Sequence, residues 1–146
     1  MRRRQLIVSM VFTMCACSSG REIDLIYASG SGDISKIVEL ISKGAKIDCI
    51  GLDGLTPLIY AIKKDRTEAI RVLLESGANP DFGSGDLGPL FFAFYYGRKD
   101  AAVLLMAKRA RLSVPSVVSA RFRESVTVHA RDLEFRALLA KAQYKL

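Results

Sequence analysis

The sequence predicts an all-α solenoid of about three helical repeats closed by a degenerate fourth, and three observations carry that prediction. Alanines recur at Ala28, Ala61 and Ala93, at spacings of 33 and 32 residues. Leucines at Leu40, Leu73 and Leu105, and further alanines at Ala45, Ala78 and Ala110, keep the same register. Turn-forming stretches, LDG from Leu52 and SGDLG from Ser84, fall between the repeats. A repeat of this length cannot bury its apolar side alone, so the core must form by stacking one repeat on the next.

The chain opens with an export signal over residues 1–16. Arg2, Arg3 and Arg4 precede a nine-residue, mostly apolar run, LIVSMVFTM, and the first acidic residue is Glu22. The run is shorter than the roughly 20 apolar residues a stable membrane-crossing helix needs. The following MCAC resembles a bacterial lipobox: Ala16 directly precedes Cys17, the expected acylated residue, although Cys15 is an unusual occupant of its position. Residues 17–22 then read as a lipidated N-terminus and tether. Ser18 rather than Asp behind the cysteine favours the outer membrane over the inner in a Gram-negative cell. Soluble export and an uncleaved anchor are the alternatives. A structural zinc needs four ligands, and a C-x-C pair, Cys49 and the one histidine, His129, do not supply them in a recognised spacing. No metal and no cofactor is expected. With Cys17 acylated, Cys49 is the one remaining thiol of the mature chain and no internal disulfide can form.

Of 146 residues, 22 are Lys or Arg and 15 Asp or Glu, a formal charge of +7, and loss of residues 1–16 leaves +4. Residues 17–97 carry eight basic against eleven acidic residues, residues 98–146 eleven against four. The basic half could meet anionic lipid, nucleic acid or an acidic protein. Nucleic acid is not expected for an exported protein, and the arginines are spread along helical sequence as on a solvated face.

The repeat domain runs over residues 23–146, with repeats at about 23–52, 53–85 and 86–114 and a cap at 115–146. Each repeat reads as helix, tight turn, helix and an outlying hairpin-like loop. Thr56 can cap the first helix of its repeat with Pro57 at N1. VLL at Val72–Leu74 and Val103–Leu105 gives the second helices an apolar stripe, and Gly77 suits a left-handed helix end. The cap is read as two helices, about 116–129 and 131–143, with Leu138 placed 33 after Leu105 and its arginines facing water.

DGLTPLIYA at Asp53–Ala61 and LLESGANPD at Leu73–Asp81 resemble the most diagnostic stretches of ankyrin repeats, and the resemblance covers residues 23–114. Departures are informative. Ile26, Ile59 and Phe91 stand where the family usually has a histidine, Gly88 replaces the capping threonine in the third repeat, and Arg109 replaces Gly77. A more apolar interior and a weaker third cap are expected.

The resemblance implies a non-catalytic module that binds another protein in a concave groove, lined by loop tips and the ends of the first helices. Carried over by position, the partner-binding candidates are Asp53 and Leu55, Lys63 and Lys64, Leu87, and Tyr95 and Tyr96. The two tyrosines are the sharpest, with packing against the fourth repeat as the competing role. Phe92 and Phe94 read as core. No serine or cysteine stands in a nucleophile motif, and the GSG stretches lack the residues of a phosphate or dinucleotide loop. A monomer is expected, lipid-anchored and facing the periplasm, with an immunity or inhibitor role suggested by similar small exported proteins. A scaffold for an envelope enzyme, or a secreted effector binding host proteins, is the alternative.

Overall fold

A computed structural model describes residues 20–116, 119–129 and 131–143. The expected export signal over residues 1–16, with Cys17, lies outside the described residues. Eight helices are described: α1 (Gly20–Ser31), α2 (Ile34–Ser42), α3 (Pro57–Lys63), α4 (Thr67–Glu75), α5 (Pro89–Tyr95), α6 (Lys99–Ala107), α7 (Ser119–His129) and α8 (Leu133–Lys141). They pair within the first three repeats and stack in two rows, α1, α3, α5 and α7 in one and α2, α4, α6 and α8 in the other. This is an ankyrin solenoid.

Local chemistry sets the helix starts. Thr56 is buried in extended geometry at the start of α3, and its hydroxyl accepts from the Ile59 N–H at 3.3 Å, with Pro57 in the first turn. Gly88 holds the same extended geometry before α5 but offers no side-chain acceptor, so that start lacks one hydrogen bond. In the second row, Asp33 accepts from the Lys36 N–H and Asp132 from those of Glu134 and Phe135.

The helix ends repeat even where the sequence does not. Gly44, Gly77, Arg109 and Gln143 close the second-row helices with positive φ of 83°, 97°, 60° and 60°. The stack imposes the left-handed turn at Arg109 and Gln143, at a conformational cost glycine avoids.

Stacked side chains fill the core. Leu25, Leu58 and Leu90 recur in the first row and Leu40, Leu73 and Leu105 in the second, all buried. Ile26, Ile59 and Phe91 are buried as well, which makes the interior apolar at the position where the family usually has histidine. In the fourth repeat α7 presents Phe122 and Val126 to the stack, and Phe122 stacks on Phe91 with ring centroids 4.7 Å apart. The register of α8 differs from the sequence expectation by one residue. Leu139, not Leu138, is fully buried, and the N-cap Asp132 and left-handed Gln143 both lie 34 residues after their counterparts Arg98 and Arg109. The end of α7 at His129 already lies 34 residues after the end of α5 at Tyr95, so the shift arises before the turn that joins α7 to α8.

Polar bonds between repeats also recur. Asp48 accepts from the Asn79 N–H at 3.0 Å and Asp81 from the Arg111 N–H at 2.6 Å. At the opposite end of the helices, Arg66 donates to the Gly30 carbonyl and Arg98 to the Lys63 carbonyl, and Arg98 also pairs with Asp65 at 3.2 Å. Each such bond satisfies backbone that the neighbouring repeat would otherwise leave unpaired.

Candidate binding surface

One side of the stack is lined by the first-row helices and the loop tips that precede them. A single repeat position there is aromatic in the first three repeats: Tyr27, Tyr60 and Phe92. Its exposure falls along the stack, from 74 % at Tyr27 through a half-buried Tyr60 to 9 % at Phe92. Among the described residues α1 has one neighbouring helix in its row, whereas α3 and α5 each lie between two.

The first loop tip is rigid for a stated reason. The Gly51 N–H donates to the Leu55 carbonyl at 2.9 Å, and the Leu55 N–H donates back to Asp53 Oδ1 at 3.3 Å. The Tyr60 hydroxyl donates to Asp53 Oδ2. That bond to a carboxylate, followed by partial burial, pushes the Tyr60 phenol up to about 12, so it remains a donor throughout the neutral range. Asp53 is thus an exposed carboxylate held in one orientation. Beside it Ile23, Ile26, Tyr27, Gly51, Leu52 and Tyr60 enclose a mostly apolar cleft of about 230 Å³. Leu52 is 94 % exposed and Ile23 is 45 % exposed.

The second tip closes through reciprocal 3.1 Å bonds between the backbones of Ser84 and Leu87. Only glycine fits at Gly83, since a Cβ there would stand 1.9 Å from the Leu87 carbonyl oxygen. Asp86 projects into solvent at this tip.

The other residues singled out from the sequence fall into two groups. Lys64 is exposed, and Lys63 is half buried at the end of α3. Leu55 and Leu87 are half buried against the core, so they brace the tips more than they extend them. Tyr95 stacks on Phe91 at 5.8 Å and Tyr96 on Phe92 at 6.3 Å, and the two phenols meet edge to face at 5.1 Å. Ser125 of α7 donates to the Tyr95 carbonyl at 2.5 Å. Both rings are half buried; burial, then Tyr95, raises the Tyr96 phenol above its ordinary range. They pack against the core on one face while keeping an open edge. Phe92 and Phe94 are buried.

Sequence reasoning did not single out Ile23, Tyr27 or Tyr60. The signal was available: Tyr27, Tyr60 and Phe92 keep the same 33 and 32 spacing as the alanines that follow them. The bond from Tyr60 to Asp53 has no sequence signature.

A family profile described as ankyrin repeats (3 copies) matches residues 25–115. Among characterised proteins, similarity runs to ankyrin repeat, SAM and basic leucine zipper domain-containing protein 1. The Colobus guereza protein is 33 % identical over 103 residues, 69 % of this chain and 22 % of that protein. The Neofelis nebulosa protein is 32 % identical over 104 residues, 70 % of this chain and 22 % of that one. The Carollia perspicillata protein is 44 % identical over 52 residues, 36 % and 11 % of the two. The alignments thus span less than a quarter of these relatives' length. With the repeats matched from Leu25 to Pro115 and the stack they build, the chain belongs to the ankyrin repeat family, whose members are generally non-catalytic protein-interaction modules.

Proposed function

We propose that this protein is an exported, lipid-anchored ankyrin protein that captures one partner protein in the bacterial periplasm, as an inhibitor or immunity protein. The observation that carries the binding reading is the unused apolar surface beside a fixed carboxylate. Leu52, Tyr27 and Ile23 are exposed together around a cleft while Asp53 is held by two hydrogen bonds. Exposed aromatic and aliphatic side chains on a rigid frame are the material of binding hot spots. The partner lies in the concave groove formed by the loop tips and first-row helices, with Lys64 and the open edges of Tyr95 and Tyr96 completing the contact.

The export reading rests on the N-terminal pattern of three arginines, a short apolar run and Ala16-Cys17. Acylation at Cys17 holds the stack at the envelope, on the outer membrane in a Gram-negative cell.

The test is affinity capture from the source organism's envelope with tagged protein, beside a Tyr27→Ser/Leu52→Ser control. Both changed side chains are already in water, so folding is preserved. A single protein retained by the natural chain and lost by the control is the expected result. If it is an enzyme toxic to cells lacking this protein, the inhibitor role holds; recovery of the same proteins by both baits would defeat the reading. In fractionation, Cys17→Ala is expected to move the protein out of the membrane pellet.

A further inference from the structure

The cleft beside Asp53 is specific enough in its chemistry to name what enters it. Its walls are aliphatic at Ile23, Ile26 and Leu52 and aromatic at Tyr27 and Tyr60, and its lip is the Asp53 carboxylate. The carboxylate already accepts from the Leu55 N–H and the Tyr60 hydroxyl. These bonds fix its direction without neutralising its charge, and a carboxylate has room for further donors. Neither Asp53 nor Asp24, the exposed acid next to Ile23, forms an ion pair among the described residues. Arg21, the basic residue of α1, is turned to the Lys43 carbonyl at 2.5 Å. Asp86 adds a further exposed acid at the next tip. The surroundings are therefore acidic at the rim and apolar within.

Long basic side chains have the complementary build. Their methylene stems cover apolar surface while the charged head stays at the polar edge, and the head gains both from a carboxylate and from nearby aromatic faces. An acidic side chain would meet Asp53 unfavourably, and a purely apolar one would leave its charge unmatched. We propose that this cleft receives a lysine or arginine of the captured protein, presented next to an aliphatic residue, with the stem against Ile23 and Leu52 and the head on Asp53. This assignment rests on the groove-binding reading and adds the chemistry of its contact.

The test uses a random-sequence peptide display library selected on the full chain, followed by titration of the enriched peptides against variants. Asp53→Asn removes the charge but keeps an oxygen to accept from the Leu55 N–H and an amide that can donate to the Tyr60 hydroxyl, and Leu52→Ser alters a side chain that is 94 % exposed. Enriched peptides are expected to share a basic residue beside an aliphatic one, and to bind roughly tenfold or more weakly to each variant. Salt should weaken the natural complex and leave the Asp53→Asn complex nearly unaffected. Peptides without a basic preference, or ones that bind Asp53→Asn undiminished while depending on Lys64 or Tyr96, would overturn the cleft assignment and leave the groove reading standing. Failure to select any peptide that binds the folded stack would overturn both.

Discussion

Replacing Gly97 with alanine tests how the fourth repeat is attached. Gly97 follows α5 with φ of +66°, and a Cβ there would stand 2.5 Å from two atoms of the His129 ring and 2.8 Å from a third. The half-buried ring would have to move, and its centroid lies 5.5 Å from that of the Phe135 ring of α8, so the movement would disturb that contact. Two costs follow: roughly 1–2 kcal/mol for an L-residue in left-handed geometry, and about 1–3 kcal/mol for overpacking. Gly77→Ala isolates the first cost, since Gly77 is also left-handed at +97° yet has nothing within 4 Å of the added carbon. The unfolded-state effect of adding a methyl is common to both variants and cancels in their difference. Urea titration should therefore show Gly97→Ala less stable than Gly77→Ala by about 1–3 kcal/mol. The loss is bounded by the docking free energy of α7 and α8, since a terminal repeat can detach while the rest stays folded. Limited trypsin digestion reads that detachment as faster cleavage at Arg121, Arg123 and Arg131. Adding His129→Ala to Gly97→Ala should recover part of the loss. Equal stability of the two glycine variants would refute the claim that the contact of His129 with Gly97 seats the cap.

Asp81→Ala leaves the Arg111 N–H without its 2.6 Å partner and is expected to cost about 1–3 kcal/mol in urea unfolding, with Asp81→Asn losing less. Arg109→Gly relieves a left-handed non-glycine residue and should raise stability by a net amount of about 1 kcal/mol or less, read as a higher unfolding midpoint. Asp132 is held below its ordinary value of 3.8, first by the bond from Lys99 at 2.7 Å, so its contribution is complete above the unfolded value and fades as pH falls through the lowered one. Acid titration of the natural chain should thus loosen the cap below about pH 4, and Asp132→Asn should flatten that limb. Ultraviolet titration should find one phenol ionising near pH 12, and Asp53→Ala should bring it down toward the ordinary tyrosine range.

What the sequence discloses and what it hides divide along a physical line. The stack itself was legible because helix approach demands small or branched residues at fixed spacing, so Ala61 and Leu73 announce their positions wherever the period places them. The capping role of Thr56 with Pro57 was legible for the same reason, being local chemistry within one turn. The one-residue slip of α8 was hidden, because Leu138 and Leu139 are adjacent leucines and the 33-residue spacing alone favours the wrong one. Leu55 and Leu87 read as tip residues but lean inward, a direction set by the loop's backbone bonds. Tyr95 and Tyr96 were posed as a choice between binding and packing, whereas Phe91 and Phe92 support one side of each ring and leave an edge free.

The aromatic column of Tyr27, Tyr60 and Phe92 ties these observations together. One repeat position is exposed in the first repeat, half buried in the second and enclosed in the third. Phe92 and Tyr60 both have helices on two sides in their row, but Phe92 is consumed by the core and Tyr60 only half buried, while Tyr27, with one neighbouring helix among the described residues, is exposed. Exposure matches the polar tips of the column: Tyr60 carries a hydroxyl that finds Asp53, whereas the buried counterpart at 92 has no hydroxyl to satisfy. Tyr60→Phe should therefore leave the stack folded and free Asp53 to move, weakening partner binding through lost preorganisation. The converse change, Phe92→Tyr, would place an oxygen in a position already 91 % enclosed, and should destabilise the third repeat unless that oxygen reaches water. Similar unfolding midpoints for the two variants would mean that exposure along the column does not separate recognition from packing, and the binding surface would have to be sought at Lys64 and Tyr96 instead.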